Sequence, residues 1–297
     1  MSAGFFMQSV EQGLVYAIMA IGVYITFRVL DFADLTVEGS FTLGAAVAAT
    51  LITKGYHPVA ASLVPILAGA AAGVITGLLH TKGRISGLLA GILTMTALYS
   101  INLRVMGKSN VPLLRTETAV SMVKGIIPEV IATLVFFALC VMVIVLILDW
   151  FLYTETGFAV RATGDNEYMI RSLGVNTDNM KILGLAISNG LVAFSGALVA
   201  QYQGFADAQM GIGMIVAGLA SVIIGEVVLG AGSITRATIA VVGGSIVYRL
   251  AIAVALLVGF RASDLKLITA VLVVIALVSP RVKDMLNLNK KASVTGS

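Results

Sequence analysis

Long apolar runs alternate with short polar interruptions along the whole chain. Nine runs stand out, at 9–30, 40–54, 58–79, 87–106, 126–152, 181–203, 213–230, 235–259 and 264–280. A helix needs about 17–25 such residues to cross the hydrocarbon core of a bilayer. Run 40–54 is short for a crossing, and run 213–230 is borderline and contains Glu226, so either is expected to be broken or re-entrant. Eight to ten spans fit the pattern, with nine the central expectation. In lipid every backbone N–H and C=O must find a partner inside its own segment, which leaves helices for apolar runs of this length. The pattern therefore predicts an all-α polytopic membrane protein, with residues 1–297 forming a single transmembrane domain.

Composition agrees. The chain is 59% hydrophobic and 11% charged, whereas soluble domains average about 25% charged residues. The first run lacks a preceding basic segment and is long enough to span, so it is expected to be a span and not a cleaved leader. The lone Cys140 excludes an intramolecular disulfide.

The net charge is +4, and Arg281, Lys283, Lys290 and Lys291 cluster in the C-terminal tail. A basic flank after a last span reads as a cytoplasmic tail over 282–297, and no nucleic-acid partner is expected. Two further basic groups lie between spans, with His80, Lys82 and Arg84 after the third run and Arg161, Arg171 and Lys181 around the loop after the fifth. Nine crossings from an outside N-terminus put all three groups in the cytoplasm. Arg104, Lys108, Arg115 and Lys124 run against that assignment.

Small residues recur at helix-packing spacing, in the ridges Gly69, Gly73, Gly77 and Gly83, Gly87, Gly91. Lipid supplies no hydrophobic force between helices, so close backbone approach must hold the bundle together. Polar residues inside the runs, namely Asn102, Asn189, Glu226, Tyr248 and Arg249, are each first read as interhelical hydrogen-bond partners. Glu226 is the strongest candidate for a pathway or gate, with Arg249 or Arg236 as the expected ion-pair partner.

Two polar interruptions stand out for their charge. The first, RVLDFADLTVEGSF at 28–41, brings Asp31, Asp34 and Glu38 between two apolar runs. It can be a plain loop with Arg28 partly neutralising Asp31, or a broken helix lining a path. Its echo at 204–218 favours the second reading. Both stretches carry Phe-Ala-Asp and then two glycines five residues apart, Gly39 and Gly44 in one and Gly213 and Gly218 in the other. Both follow a run with Gly-Leu-Val, at 13–15 and 190–192. The two would exit on opposite sides, the mark of an inverted-topology repeat. Asp34 and Glu38 then mark one end of a path and Asp207 the other. Replacing Asp34 or Asp207 is expected to impair transport and leave assembly intact.

The second interruption, TETGFAVRATGDNEYMIRSLGVNTDNMK at 154–181, is expected to hold a short helix over DNEYMIRSLG, capped by Asp165 or Gly164 and ended by Gly174. A connection only has to return to the membrane, for which about 4–6 residues suffice. A long one with its own helix suggests a docking surface. The order Thr154, Gly157, Ala159, Arg161, Ala162, Leu173, Gly174, Val175, Asn176, followed by ILGLAISNGLVAFSGALVAQYQG, resembles the cytoplasmic coupling loop of ABC-importer permeases of the branched-chain amino-acid and ribose type. The start, GLVYAIMAIGVYITFRVLDFADLTVEGSFTLGAAVAA, resembles the opening span and glycine-punctuated break of the same family. Residues 218–246 are similar in glycine placement, but Gly230-Ala231-Gly232-Ser233 replaces the commoner GG-x-GS form. Within the family, the nearest resemblance is to tryptophan/tyrosine uptake permeases.

The resemblance implies a division of labour. Two permease copies would form the path, two cytoplasmic ATPase subunits would each receive a coupling helix, and an extracytoplasmic solute-binding protein would deliver substrate. Gly157, Arg161, Ala162, Asp165, Glu167, Tyr168, Arg171, Leu173 and Gly174 would serve ATPase coupling. Path candidates are Asp34, Glu38, Asn102, Asn189, Asp207 and Glu226. The implied location is the bacterial cytoplasmic membrane. ATP and magnesium would bind the partner and no cofactor this chain. The nearest approach here to a P-loop is Gly107-Lys108-Ser109, with Asn102 where the motif requires its first glycine.

Alternatives remain open in substrate and in class. Sugar and nucleoside permeases share the scaffold. An ion-coupled secondary transporter would need carboxylates deep in its spans, where Glu226 qualifies most clearly. An intramembrane enzyme is disfavoured. His57 and His80 flank opposite ends of one span, roughly 35 Å apart at 1.5 Å per residue, and neither H-E-x-x-H nor G-x-S-x-G occurs. No metal site is expected.

Overall fold

The polar and apolar segmentation resolves into helices α1 (Ser2–Tyr24), α2 (Thr36–Thr53), α3 (Pro58–Thr81), α4 (Gly87–Met106), α5 (Ala119–Lys124), α6 (Glu129–Tyr153), α7 (Glu155–Asp165), α8 (Glu167–Ser172), α9 (Thr177–Gln203), α10 (Met214–Leu229) and α11 (Ile234–Val258). Two short strands, β1 (Asn110–Pro112) and β2 (Phe205–Asp207), pair antiparallel. This computed structural model describes residues 2–260 apart from 115, 125–128 and 231, together with 264, 267–271, 273, 274 and 278.

Among the described residues, seven segments are long and apolar enough to cross a membrane: Gly4–Val29, Thr36–Thr53, Pro58–Thr81, Gly87–Met106, Ile131–Tyr153, Thr177–Gln203 and Ile234–Val258. Helix α10, the borderline run, is a shorter apolar helix of 16 residues. Much of the ninth run, 264–280, and the basic tail at 282–297 lie outside the described residues. The run expected to be short, 40–54, is a full-length helix that begins four residues earlier. Its first turns carry Thr36 and Glu38, which hydropathy counts as loop, and then Ser40, where the apolar run begins. Thr36 and Ser40 are fully buried here and hydrogen-bonded, Thr36 Oγ1 to Thr76 Oγ1 at 2.7 Å and Ser40 Oγ to Asn189 Oδ1 at 2.7 Å.

Helix α9 is the axis around which the bundle packs. Gly69, Gly73 and Gly77 of α3 form the expected ridge and lie against Asn189, Leu185 and Ile182 of α9. A Cβ at Gly69 or Gly73 would run into the carbonyl opposite, and one at Gly77 into the Cα of Ile182. The second glycine series divides. Gly87 and Gly91 of α4 face Phe32 and Leu35, whereas Gly83 sits in the preceding turn against its own Leu79 carbonyl.

Small hydroxyls bind neighbouring backbones across the bundle. Ser195 and Ser188 of α9 donate to Val15 O and Gly22 O of α1, both at 2.7 Å, and Ser245 of α11 donates to Gly13 O at 2.8 Å. The first two contacts make α1 and α9 antiparallel.

The ends of the bundle differ. At one end α7 and α8 cover the ends of α1, α3 and α9, and at the other lies the β1–β2 ribbon. Helix α1 runs toward the α7–α8 end, where a π-helical turn, Ile25–Val29, closes it. Leu30 N donates to Ile25 O at 3.0 Å and Phe32 N to Thr26 O at 2.8 Å. Asp31 then takes a left-handed conformation, φ 50°, which Asp tolerates better than most residues. Helix α2 leads away from this break. Helix α9 runs opposite to α1 and breaks over 204–213, and α10 then returns toward the α7–α8 end, its Gly218 against Val23 of α1. Each Phe-Ala-Asp break thus follows a span in α1 or α9 and precedes a helix of opposite sense.

Candidate functional site

The segment at 154–181 forms two helices where the sequence pattern predicted one. Thr154 caps the first, its Oγ1 accepting from Gly157 N at 3.2 Å. Gly157 packs on Phe151 O and Leu152 Cα, so no side chain fits there. Val160 and Ala162 are buried, and Gly164 seats α7 on the backbone of Val29 and Leu30. The chain leaves the helix at Asn166, which caps α8 by accepting from Met169 N at 3.0 Å. Asn166 takes the role expected of Asp165 or Gly164, because it is the residue whose extended backbone precedes the new helix. Gly174, φ 88°, ends α8 as expected.

Glu167 anchors α8. Its carboxylate accepts from Lys181 Nζ at 2.7 Å, and from Arg171 Nη2 and Thr177 Oγ1 at 3.1 Å each. Arg171 also reaches Asp178 at 3.2 Å and Thr177 at 2.6 Å, and Lys82 approaches Asp178 at 3.8 Å. The helix is clamped to the start of α9 by polar contacts on one side, while Ile170 is buried beneath it. Its other side is bare: Tyr168 is 89% exposed, Leu173 70% and Met169 52%. Asp165 is exposed, and Arg161 lies over the Phe158 ring at 6.0 Å. The nine nominated residues thus divide into a seat (Gly157, Ala162), a clamp (Glu167, Arg171), a helix stop (Gly174) and residues directed outward.

The Lys181 ammonium, first among its partners, holds the Glu167 carboxyl below the usual carboxylate range, against a smaller upward push from burial. A depressed folded value stabilises the fold above the unfolded pKa of about 4.3, and that stabilisation is lost as pH falls through the folded value. Glu167→Gln should therefore cost less than about 1 kcal/mol at pH 7, since the group is a third exposed. Thermal melts of both proteins down to pH 3 should converge at the acid end. A constant difference across that range would rule the clamp out.

The path candidates fall into three places. Asp34, Asn189 and Ser40 meet in the interior. Asp34 is fully buried, its Oδ1 accepting from Thr36 N at 2.9 Å and its Oδ2 from Asn189 Nδ2 at 2.7 Å. Nearby, Asn102 Nδ2 donates to Gly39 O at 3.2 Å, and its Oδ1 is buried without a partner. Glu38 joins the two breaks, Oε1 accepting from Gly213 N at 2.9 Å at the start of α10, while Thr42 Oγ1 accepts from Gly211 N at 3.1 Å.

Asp207 sits on β2 at the opposite end, accepting from Gln209 N at 2.9 Å. Glu226 pairs with Arg28, at 2.7 Å. The expected partners are elsewhere: Arg236 Nε donates to Leu229 O at 2.7 Å, and Arg249 lies over the Tyr16 ring. Arg28, expected to neutralise Asp31, is turned by the π-helical segment toward the last turns of α10. No spacing in the sequence signals that pair, because 198 residues separate its members. Ser40 and Thr36 were missed for a different reason: hydroxyls carry no pattern of their own.

A cavity of about 400 Å³ opens beside the first break, lined among others by Asp31, Phe32, His80, Gly164, Glu167 and Lys181. It connects the break to the α7–α8 platform. Among the described residues no group of three His, Cys, Asp or Glu side chains could hold a metal ion.

Residues 5–278 match the family described as branched-chain amino acid transport system / permease component. The chain is 47% identical over 263 residues to the tyrosine transport system permease protein of Clostridioides difficile (strain R20291), covering 89% of this chain and 87% of the relative. It is 27% identical over 231 residues to the ribose import permease protein RbsC of Escherichia coli (strain K12), covering 75% and 69%. A solved ABC transporter of the metal-chelate type, in an inward-facing conformation, shares the fold with a TM-score of 0.51 at 16% identity, over 94% of this chain and 85% of that one.

Proposed function

Because the chain belongs to the family of branched-chain amino acid transport permease components, the membrane subunits of ABC transporters, we propose that it carries an aromatic amino acid inward across the bacterial cytoplasmic membrane. The observation that carries the reading is the α7–α8 platform, a clamped helix whose apolar side chains face outward at one end of the bundle. A groove on a cytoplasmic ATPase is the partner such a helix suits. ATP and magnesium belong to that partner, two copies of which act on two copies of the permease. An extracytoplasmic solute-binding protein meets the opposite end. ATP binding draws the platforms together and tilts the bundles as rigid bodies. The substrate class rests on the relative named for tyrosine transport.

Native mass spectrometry of the tagged permease, extracted gently from its own membrane, tests the assembly. Two permease chains with two ATPase chains are expected. A permease found alone across several mild extractions would remove the coupling argument and favour the ion-coupled alternative, with Glu226 its first suspect. Uptake of radiolabelled tyrosine, ribose and a nucleoside into proteoliposomes holding the whole complex tests the substrate class.

A further inference from the structure

The cavity of about 400 Å³ between the first break and the α7–α8 platform falls within the range of about 300–1,000 Å³ of small-molecule sites. Asp31, Phe32, His80, Leu88, Glu167 and Lys181 are among the residues that line it. Some of its polar groups are fully engaged. Glu167 accepts from Lys181, Arg171 and Thr177. His80 Nδ1 donates to Ile85 O at 2.9 Å, and its ring meets Phe32 edge-on with centroids 5.1 Å apart. Two charges on the cavity are not fully engaged. Asp31 is exposed, and among the described residues its carboxylate has no hydrogen-bond or ion-pair partner, since Arg28 is committed to Glu226 at 2.7 Å. Lys181 carries three N–H donors and spends one on Glu167, although its side chain is only 16% exposed.

These two groups select one kind of ligand. A free carboxylate and an ammonium with spare donors on one cavity match the two charged groups of an α-amino acid, its ammonium on Asp31 and its carboxylate on Lys181. A simple amine would leave the Lys181 donors unserved, and a simple anion would leave Asp31 bare. Leu88, 52% exposed, offers an apolar wall to the side chain. Asp31 also holds a left-handed backbone, φ 50°, and strained positions of this kind cluster at ligand clamps. We propose that the cavity is a product site: it takes an aromatic α-amino acid from the cytoplasm, and its occupancy slows import. The link runs through the clamp, because Lys181 holds Glu167 and Glu167 anchors α8. A ligand carboxylate on Lys181 competes with Glu167 for the ammonium and loosens the helix offered to the ATPase, so that occupancy and coupling oppose each other. The inference rests on the importer reading above, which turns this end of the bundle to the cytoplasm, and adds an amino-acid site that transport itself does not require.

The test uses the complete complex in proteoliposomes. ATP sealed inside drives only complexes whose ATPase faces the lumen, so the lumen stands for the cytoplasm. Initial uptake of tritiated L-tyrosine is read with graded unlabelled L-tyrosine, tyramine or 3-(4-hydroxyphenyl)propionate in the lumen. L-Tyrosine should slow uptake at least fivefold at saturation. Tyramine, which lacks the carboxylate, and the propionate, which lacks the ammonium, should each need at least tenfold more for half the effect. Asp31→Asn removes the charge, and asparagine tolerates the left-handed backbone as aspartate does. With an empty lumen this variant should import within twofold of wild type, and its half-inhibition should need at least tenfold more lumenal tyrosine. The analogue series needs no variant, so a misfolded mutant leaves the test intact. Wild-type uptake that lumenal tyrosine leaves unchanged overturns the product site alone, as does equal inhibition of wild type and Asp31→Asn, or equal potency of tyrosine and either analogue. A wild-type complex that takes up no aromatic amino acid with an empty lumen overturns the importer reading and the product site with it.

Discussion

Replacing Tyr168 and Leu173 together by aspartate should abolish ATP-driven uptake, by at least about a hundredfold, and leave the permease itself folded. Both side chains project from α8 into open space, at 89% and 70% exposure, so the fold loses almost no contact when they change. The clamp beneath them, from Glu167 to Lys181 and Arg171 to Asp178, is untouched. What changes is the exposed face that the proposed docking would offer to an ATPase. Large apolar side chains at the centre of an interface carry most of its binding energy, about 2 kcal/mol or more apiece. Two carboxylates in their place would have to be stripped of water with no cation to meet them. A hundredfold loss corresponds to about 2.7 kcal/mol, below the sum of the two side chains. Co-purification of the ATPase with the tagged double variant, at fixed permease amount, checks the expectation. ATPase recovered at wild-type stoichiometry would place the docking surface elsewhere on this end of the bundle.

The spans and a helix in the segment 154–181 were legible in the sequence because their signal is local. An apolar run of spanning length bounded by polar residues can mean little else in a chain this hydrophobic, and the ridge Gly69, Gly73, Gly77 announces a close helix contact by its spacing alone. The errors have separate causes. Hydropathy places Thr36 and Glu38 outside a span, yet each hydrogen-bonds inside the bundle, so α2 begins earlier than its apolar run. Partners separated by most of the chain leave no trace in spacing, which is why Glu226 was matched to arginines near it in sequence and not to Arg28. The cap of α8 was misplaced by one or two residues, since Gly164, Asp165 and Asn166 are all acceptable cap types and only the backbone at 166 decides among them.

Asp34 and Asp207 occupy matching places in the two breaks, yet their removal should have opposite consequences. Asp34→Ala strips the acceptor from Thr36 N and from one of the two Asn189 Nδ2 N–H groups, the other staying on Leu185 O at 3.0 Å, and both residues are fully buried. A buried donor left without a partner costs about 1–3 kcal/mol. Two of them cost roughly 2–6 kcal/mol, a large part of a total stability of about 5–15 kcal/mol. The loss propagates, because Asn189 also receives Ser40 and lies against Gly69, so α2, α3 and α9 share one polar junction.

Asp207→Ala removes acceptors only from Gln209 N in an exposed turn and from Asn110 Nδ2 at 3.4 Å, groups that water can serve instead. The expected cost is less than about 1 kcal/mol. The sequence pattern treated the two acids as equivalent and predicted intact assembly for both. Burial divides them: the Asp34 variant should melt well below wild type and yield little monodisperse protein, while the Asp207 variant should purify normally. Melting both variants in the same detergent decides the matter. Equal melting temperatures would mean that the Asp34 junction is open to water and free to serve the path, whereas a selective loss at Asp34 assigns the first break to the scaffold and leaves the second as the segment that can move.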